Sequence, residues 1–379
     1  METSSRCTPA KRILFSGYAP VHFVCFLPVY QLLRRDPGVE VFLSGGFRKR
    51  DEQGGLSYSL EGFYNPFEVD RSRIISVEQM RREDFEVAVC AHTSDTLLPR
   101  SARSTIQIFH GVSFKNLVVR EKALRFDTLC LPGLYHAELF RKHGLLRDRD
   151  TLYLVTGFPK ADALVNGHHD RAAFLRRVGL SPERPTILFA PTGDKHNALE
   201  TMGREVISAI DNAETWNLLI KPHDHPKKAN NWFLKLAPFE NDRVRIVRDR
   251  DIVPSLRAAD LLLTDVSSVA VEYTLLDRPI VFIDVPRLLE KVRKRAPALD
   301  LDTYGRKIGA VVNRPEDLAA AIAQSLAHPQ REQQLRQKMA RHIFHHPGSA
   351  SRRVAEVIRR AAGLSESLPP DVQVLQPEP

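Results

Sequence analysis

The sequence predicts an α/β protein of two doubly wound domains that face each other across a cleft. Short apolar segments of strand length alternate with helical segments along most of the chain, an order that indicates parallel sheets. A stretch rich in Gly, His, Arg and Pro interrupts this alternation near the middle of the chain, after which the pattern starts again. The length of 379 residues and the 43% hydrophobic content are sufficient for two separate cores.

The N-terminal half, residues 11–165, begins with a strand, a loop and a helix. The apolar segment 12–17 ends in Gly17 and predicts the first strand, and residues 21–35 predict the helix. The later segments repeat this alternation, so this half is predicted to be a Rossmann-like domain. Its further strands are expected at 39–44, 86–91, 105–109, 128–131 and 151–155, with a helix at 133–143.

Residues 166–185 are predicted to be a linker, because Gly, His, Arg and Pro surround one short basic helix there. A second Rossmann-like domain, residues 186–362, begins with the strand 186–190. The tail 363–379 has four prolines and no Lys or Arg, so it is expected to be disordered. The second domain's further strands are expected at 216–220, 244–247, 261–264 and 280–283, and its helices at 198–212, 252–259, 268–276, 316–327 and 351–362.

The charge balance predicts a surface that attracts anions. Lys and Arg number 55 against 46 Asp and Glu, which gives a net charge of +9 with neutral His. Phosphates or anionic lipid headgroups are therefore the expected partners. The basic runs 48–50 and 291–295 raise nucleic acid as an alternative, but no helix-turn-helix, RNA-binding or zinc-finger signature accompanies them, and no nucleic-acid partner is expected.

The cysteine spacing and the hydropathy pattern favour a cytoplasmic protein. The charge-free run 13–33 has the length of a membrane span, but Gly17, Pro20 and Pro28 divide it into strand, loop and helix. No signal-peptide pattern precedes it. We therefore expect a cytoplasmic protein that is soluble or peripheral on the inner face of the cell membrane. The cysteines are too far apart for a zinc clamp or a redox pair: Cys7, Cys25, Cys90 and Cys130.

A His-Gly pair follows the predicted strand 105–109 and supplies the first catalytic candidate. Gly111 permits a tight turn and the close approach of a substrate. His110 could take a proton from an attacking hydroxyl near neutral pH, because the reference pKa of histidine is about 6.5. A structural histidine that closes a turn explains the same fragment, and it is favoured when the fragment is considered alone.

Lys221, Pro222 and His223 follow an apolar strand in the second half and repeat this arrangement. Two cationic or potentially cationic side chains at one strand end suit the binding of a diphosphate. A solvated basic loop is an equally good explanation, because more basic residues follow in the sequence.

Asp265, Ser267 and Ser268 stand where the strand 261–264 passes into a helix. The free N–H groups and the positive dipole end of that helix would face an anion, with the two hydroxyls as extra donors. Simple capping of the helix would use the same groups and contribute ~1 kcal/mol to stability, and both functions can hold at once.

Weaker candidates also follow strands or open helices. The adjacent His345 and His346 stand on a loop without a second ligand pair, so a solvent-exposed role is favoured over metal binding and no metal is predicted. The other weak candidates are Lys160 in the turn 157–162, Thr192 after the strand 186–190, and Ser351 with Arg353 at the start of the last helix.

Taken in order, these segments resemble the CDP-glycerol glycerophosphotransferase family, which includes the teichoic-acid and capsule polyol-phosphate transferases. The resemblance runs from about residue 100 to residue 360 and departs from the family pattern at Val112, Val266 and Pro347. The segments that carry it are His110-Gly111, 157–162, Pro191-Thr192, 221–223, 264–269 with 278–280, and 348–353.

This resemblance implies a glycosyltransferase-B (GT-B) type fold, with the acceptor side in the N-terminal domain 11–165 and the nucleotide-donor site in the C-terminal domain 186–362. The implied reaction moves a polyol phosphate from a CDP-linked donor to a hydroxyl of a glycan or lipid-linked acceptor and releases CMP, without a cofactor. His110 would be the general base, and His223, the second catalytic residue, would hold the donor diphosphate and stabilise the departing CMP. The implied donor contacts are Gly111, Lys160, Thr192, Lys221, Asp265, Ser267, Ser268, Ser351 and Arg353.

A nucleotide-sugar glycosyltransferase of the same fold is the alternative function. It would use the same diphosphate contacts but transfer a sugar at its anomeric carbon. Fold alone does not separate the two reactions.

Overall fold

A computed structural model describes residues 9–50, 54–93, 97–147, 150–167, 169–223, 229–296 and 298–377. The chain forms two compact units. Unit 1 comprises the described residues up to His110, residues 118–162, and the described residues from Phe344 onwards. Unit 2 comprises residues 111–117 and 163–343.

The elements alternate between strands and helices in both units, as the sequence predicts. The strands are β1 Lys11–Gly17, β2 Val39–Gly45, β3 Phe47–Arg50, β4 Leu56–Ser59, β5 Asp84–Cys90, β6 Ser101–Ile108, β7 Thr128–Leu131, β8 Leu152–Val155, β9 Thr186–Phe189, β10 Asn217–Ile220, β11 Val244–Ile246, β12 Leu261–Thr264, β13 Ile280–Ile283, β14 Ala310–Val312 and β15 Gln373–Leu375.

The helices begin and end within a few residues of the predicted positions wherever a helix was predicted. They are α1 Pro20–Leu33, α2 Val77–Met80, α3 Leu134–Lys142, α4 Pro159–Asn166, α5 Arg171–Arg177, α6 Ala198–Asp211, α7 Ala229–Leu236, α8 Val253–Ala258, α9 Val269–Tyr273, α10 Pro286–Arg295, α11 Leu318–Ala327, α12 Gln333–Ile343 and α13 Ala350–Ala361.

Unit 1 is built on a sheet in the order β2, β1, β5, β6, β7, β8, β15. Its strand pairs are parallel except that of β15 with β8. The strand β2 lies on one side of β1 and β5 lies on the other. The strand order therefore reverses between β1 and β5, and doubly wound folds bind ligands at such a reversal. The helices α1 and α13 pack on one face of the sheet, with Val29 and Ile358 in one core.

Unit 2 contains a parallel sheet in the order β11, β10, β9, β12, β13, β14. The strands β9, β10, β12 and β13 are buried at every residue, which explains why they appear in the sequence as continuous apolar runs. The strand order reverses between β9 and β12. Val206 of α6, Leu288 of α10 and Ile322 of α11 pack in the core of this unit.

The predicted fold class of two doubly wound α/β domains is confirmed, but two of the predicted domain boundaries are wrong. Much of the linker predicted at 166–185 belongs to unit 2, where α5 packs against α8. Arg171 fixes this segment by donating to the carbonyl oxygens of Ala258 at 3.1 Å and Pro182 at 2.6 Å. Composition favoured a linker because it does not reveal contacts with residues distant in sequence, such as that of Arg171 with Ala258.

The end of the chain returns to unit 1, whereas the sequence analysis assigned 186–362 to the second domain and expected 363–379 to be disordered. The described part of this tail contains β15, which pairs antiparallel with β8 from Gln373 opposite Val155 to Leu375 opposite Tyr153. The tail is poor in apolar residues, but the open edge of β8 supplies backbone hydrogen bonds that composition does not reveal.

A charged hairpin, β3 with β4, follows β2 and was missed because its first strand is largely basic. Within the described ranges, no helix is both long enough and apolar enough to cross a membrane.

Candidate active site

His110 follows β6 at the carboxyl edge of the unit 1 sheet. Its Nδ1 lies 2.5 Å from the carbonyl oxygen of Ala91, the residue after β5. A carbonyl oxygen only accepts, so Nδ1 carries the proton and Nε2 keeps the lone pair in the neutral ring. The half-buried imidazole therefore has the tautomer that a general base needs.

The surroundings of His110 favour its neutral form. Burial lowers the pKa of His110 below the reference value of 6.5, against the raising effect of the hydrogen bond to Ala91. The positive charges of Lys160 and Arg120 lower this pKa further. At neutral pH the ring is thus available to accept a proton.

Two further histidines, which the sequence analysis missed, pack near His110. The ring centroid of His22, at the start of α1, is 4.8 Å from that of His110. The ring of His92, two residues after β5, is 5.4 Å from that of His22. Both are buried and follow strand ends at the reversal between β1 and β5, and this position in the topology is the signal that would have found them.

In unit 2 the predicted residues converge at the carboxyl ends of β9, β10 and β12. A Cβ atom on Gly193 would lie 2.6 Å from Nδ1 of His223, so the loop after β9 packs against this exposed ring. Gly111 lies beside Ser268, whose Oγ would be 3.9 Å from an added Cβ. Ser267 is buried and Ser268 is half-buried. This set brings one imidazole and two hydroxyls to one edge of the sheet.

Asp265 fixes the loop after β9 and does not point to a ligand. Its carboxylate is 1% exposed and accepts the N–H of Thr192 at 2.8 Å and that of Ala198 at 3.0 Å. Burial raises the pKa of Asp265 to about 6, against the lowering effect of these two hydrogen bonds. The predicted donor contact is replaced by a positioning role.

Lys115 is a residue of unit 2 that the sequence analysis missed. Its Nζ donates to Oγ1 of Thr192 at 2.8 Å and to Oδ2 of Asp194 at 2.9 Å. Burial raises the pKa of Asp194, but Lys115 and Arg295 outweigh it and the pKa is lowered overall. The predicted Thr192 hydroxyl is therefore held in a buried ionic network. Lys221, also buried, donates through Nζ to the Pro222 carbonyl oxygen at 3.3 Å.

Arg353, a predicted donor contact, is buried in unit 1 and bonds there to groups of the chain. The residue is 0% exposed, and its guanidinium donates to five oxygens. Because a guanidinium has five N–H groups, these bonds leave no donor for a phosphate. The acceptors are the carbonyl oxygens of Thr156, His345 and His346, the hydroxyl of Ser349 and the carboxylate of Asp371.

Ser351 also has a structural contact: its backbone N–H donates to a carboxylate of the chain at the start of α13. Asp162 accepts the N–H groups of Gly348, Ala350 and Ser351 at 2.6–3.1 Å. The anion expected at this helix start is thus the Asp162 side chain. Lys160, two residues earlier, is buried in unit 1 and acts electrostatically on His110.

The described residues include no group of three or more His, Cys, Asp or Glu side chains placed to hold a metal ion. The neighbouring His22, His92 and His110 of unit 1 therefore do not form such a group.

The comparisons with known proteins agree on one family. The family described as CDP-glycerol:poly(glycerophosphate) glycerophosphotransferase matches residues 68–360. A teichoic acid poly(glycerol phosphate) polymerase of Staphylococcus epidermidis is 26% identical over 263 residues. That match covers 61% of this chain and 34% of the relative, so the chain spans about a third of the relative's length. A teichoic acid glycerol-phosphate primase of Bacillus spizizenii is 27% identical over 159 residues, 41% of this chain and 40% of the primase.

Solved structures show the same fold. A structure of the wall teichoic acid polymerase TagF superposes with a TM-score of 0.65 at 18% identity, over 94% of this chain and 90% of that chain. A structure of MnaA from S. aureus with UDP gives a TM-score of 0.60 at 14% identity, over 95% of this chain and 99% of that chain.

Proposed function

The chain belongs to the CDP-glycerol:poly(glycerophosphate) glycerophosphotransferase family, and we propose that it transfers a polyol phosphate from a CDP-linked donor to an acceptor hydroxyl. The acceptor is a cell-surface glycan or its lipid-linked precursor, and CMP is the leaving group. The observation that carries this proposal is the His110 ring, whose tautomer and lowered pKa suit a general base.

Unit 1 would perform the proton transfer. The acceptor O–H gives its proton to Nε2 of His110 while its oxygen forms a bond to the donor's β-phosphorus, the one that carries the polyol. The bond between this phosphorus and the oxygen bridging it to CMP breaks, and CMP leaves with the electron pair. The product is a phosphodiester. Positioning and charge neutralisation are the main requirements of such a transfer.

Unit 2 would hold the donor diphosphate. The exposed His223 and the half-buried Ser268 present donors at the sheet edge, and Gly111 lets the backbone approach the ligand closely. The network of Lys115, Thr192 and Asp265 fixes the neighbouring loop. Hydrogen bonds to a charged phosphate contribute about 1.5–3 kcal/mol each, so these side chains account for specific donor binding.

CMP release from CDP-glycerol, with membranes as the source of acceptor and EDTA in the buffer, tests the proposal. We expect release that depends on the acceptor and persists in EDTA. His110→Gln should lower the rate at least ~100-fold, because general-base catalysis contributes about 10²–10⁴-fold, while CDP-glycerol binding stays near the wild-type value. His223→Ala should weaken CDP-glycerol binding instead. Wild-type turnover by the His110 variant would contradict the assignment.

A nucleotide-sugar glycosyltransferase is the second candidate, because the fold alone does not separate the two reactions. It predicts UDP or GDP release from a sugar nucleotide and a glycosidic product. Product analysis for a phosphodiester or a glycosidic bond distinguishes the two reactions.

We also propose that the protein works at the cytoplasmic face of the membrane. The net charge is +9, and α10 carries the exposed Arg287, Arg293 and Lys294. Each Lys or Arg near an anionic leaflet contributes about 1 kcal/mol. Co-sedimentation with vesicles should therefore rise with their phosphatidylglycerol content. Binding that is independent of anionic lipid would contradict this localisation.

A further inference from the structure

The reversal between β1 and β5 in unit 1 carries a second group of side chains whose purpose the proton transfer does not explain. Tyr18 follows β1, and His92 follows β5. The helix α1 begins at Pro20 and places His22 close to both. Ligands of doubly wound sheets bind outside the carboxyl ends of the strands at such a reversal, so this is the expected ligand position of unit 1.

The rings at this reversal form a continuous series that leads to His110. The ring of Tyr18 is 4.6 Å from that of His22 and 5.1 Å from that of His92. His22 is in turn 4.8 Å from His110. The backbone N–H of Tyr18 donates to Nδ1 of His22 at 3.3 Å, which fixes the orientation of the His22 ring. His22 and His92 are buried, whereas Tyr18 and His110 are half-buried and reach the surface.

Arg48 of the hairpin β3–β4 packs on the Tyr18 ring at the solvent-exposed end of this series. Its guanidinium carbon lies 4.4 Å from the centre of the Tyr18 ring, and the residue is exposed. The hairpin is fixed there by Gly45, which has a φ of +114° and approaches Gly17 so closely that a Cβ would lie 1.8 Å from the Gly17 carbonyl oxygen. A cation is therefore built into the carboxyl edge of the sheet.

Cations act on two of the rings in this series. Arg48 acts on His22, and Lys160 and Arg120 act on His110. Burial lowers the pKa of His22 well below its usual value, and His110, His92 and Arg48 lower it further, so His22 adds a neutral wall. Three cations beside neutral rings produce a positive potential, which selects an anionic ligand.

We propose that Arg48 and Tyr18 form a subsite for a phosphate group of the acceptor, next to the hydroxyl that His110 deprotonates. The inference rests on the proposed transferase function and assigns the residues that would contact a phosphate of its acceptor. The buried His22 and His92 hold the Tyr18 ring in place as positioning residues. The guanidinium supplies a two-pronged donor set, and the phenol supplies a hydroxyl.

Arg48→Ala tests this subsite, with Lys49→Ala as a matched control. Side chains alternate along a strand, so the exposed Lys49 lies on the opposite face of β3 and its replacement removes the same charge. The acceptors are a synthetic di(glycerol phosphate) and an uncharged diglycerol ether. CMP release with CDP-glycerol gives kcat/KM for each, and thermal melting checks that both variants are folded.

We expect the wild-type protein and Lys49→Ala to prefer the anionic acceptor. Arg48→Ala should lose about 10- to 100-fold in kcat/KM for this acceptor, with little change for the neutral one. Equal losses on both acceptors, equal losses in both variants, or a wild-type protein without preference would overturn the proposal.

A binding measurement separates the failure of this inference from the failure of the transferase proposal. Calorimetric titration of di(glycerol phosphate) into the wild-type protein and Arg48→Ala needs no turnover. Binding that is lost only in Arg48→Ala would support the subsite even if no CDP donor is turned over. Equal binding by both proteins would refute the subsite even if CMP is released.

Discussion

Replacement of Asp162 with asparagine should detach the start of α13 from unit 1. The carboxylate accepts the N–H of Gly348 at 2.8 Å and that of Ala350 at 3.1 Å through Oδ1, and that of Ser351 at 2.6 Å through Oδ2. Asparagine has the same shape but only one acceptor oxygen. Whichever way the amide is turned, its NH2 group faces at least one backbone N–H.

The loss of stability in Asp162→Asn can be estimated from these contacts. Hydrogen bonds to a charged group contribute about 1.5–3 kcal/mol each, and the negative charge at a helix start adds about 0.3–1 kcal/mol. Loss of one such bond and of the charge, at a side chain only 9% exposed, gives a destabilisation of about 2–4 kcal/mol. In a unit of this size 1 kcal/mol corresponds to about 2–4 °C, so the Tm should fall by about 4–16 °C.

Scanning calorimetry measures the Tm, and hydrogen exchange of the amides in 350–361 reports on α13 directly. Asp70→Asn is the control, because Asp70 also accepts a backbone N–H, from Ser72 at 2.9 Å, but on an exposed turn. It should change the Tm by no more than about 4 °C, since exposed caps contribute ~1 kcal/mol or less. If Asp162→Asn instead kept the wild-type Tm and exchange rates and lost donor affinity, our structural interpretation of this motif would be refuted.

Three further predictions concern the site and the tail. The acid limb of the pH profile of kcat/KM should lie below pH 6.5, because the base must be neutral and the pKa of His110 is lowered; a limb above that pH would contradict the assigned environment. Lys115→Met should weaken CDP-glycerol binding and lower the free energy of unfolding by about 1–3 kcal/mol, because it removes the hydrogen bonds to Thr192 and Asp194 while Arg295 stays paired with Asp194; calorimetry of binding and unfolding should show both effects. Deletion of 363–379 should lower the Tm, because it removes β15 and the carboxylate partner of Arg353; an unchanged Tm would restore the expectation of a disordered tail.

The alternation of strands and helices was predictable from sequence because the sheets are buried on both faces. Continuous apolar runs such as Ile280–Ile283 and Leu261–Thr264 leave little choice of structure, and their ends match the observed strands. The hairpin β3–β4 was missed because its basic strand has neither periodicity nor apolar content. It is stabilised by the backbone pairing, which no side-chain pattern records.

The assignment of α13 could not be made from the sequence. Its amphipathic pattern predicts a helix with one buried face, and that prediction is confirmed. The pattern does not say which sheet covers the face. The answer depends on Asp162 and Arg353, which bond to groups distant in the sequence, and on the pairing of β15 with β8.

The sequence also does not show which anion occupies a predicted anion position. A helix start or a loop rich in N–H groups predicts an anion, but the anion can be a carboxylate of the chain. Asp162 fills this position at α13, and Asp265 fills it at the loop that leads to α6. The amides at these two positions are therefore satisfied before any donor binds, and our proposal assigns donor contacts to side chains at the sheet edge such as His223 and Ser268. We therefore expect the affinity for the donor to fall when the side chain of His223 or Ser268 is replaced. Replacement of the Asp162 carboxylate should lower the stability instead. Donor affinity and Tm, measured together, decide between a phosphate site and a structural cap.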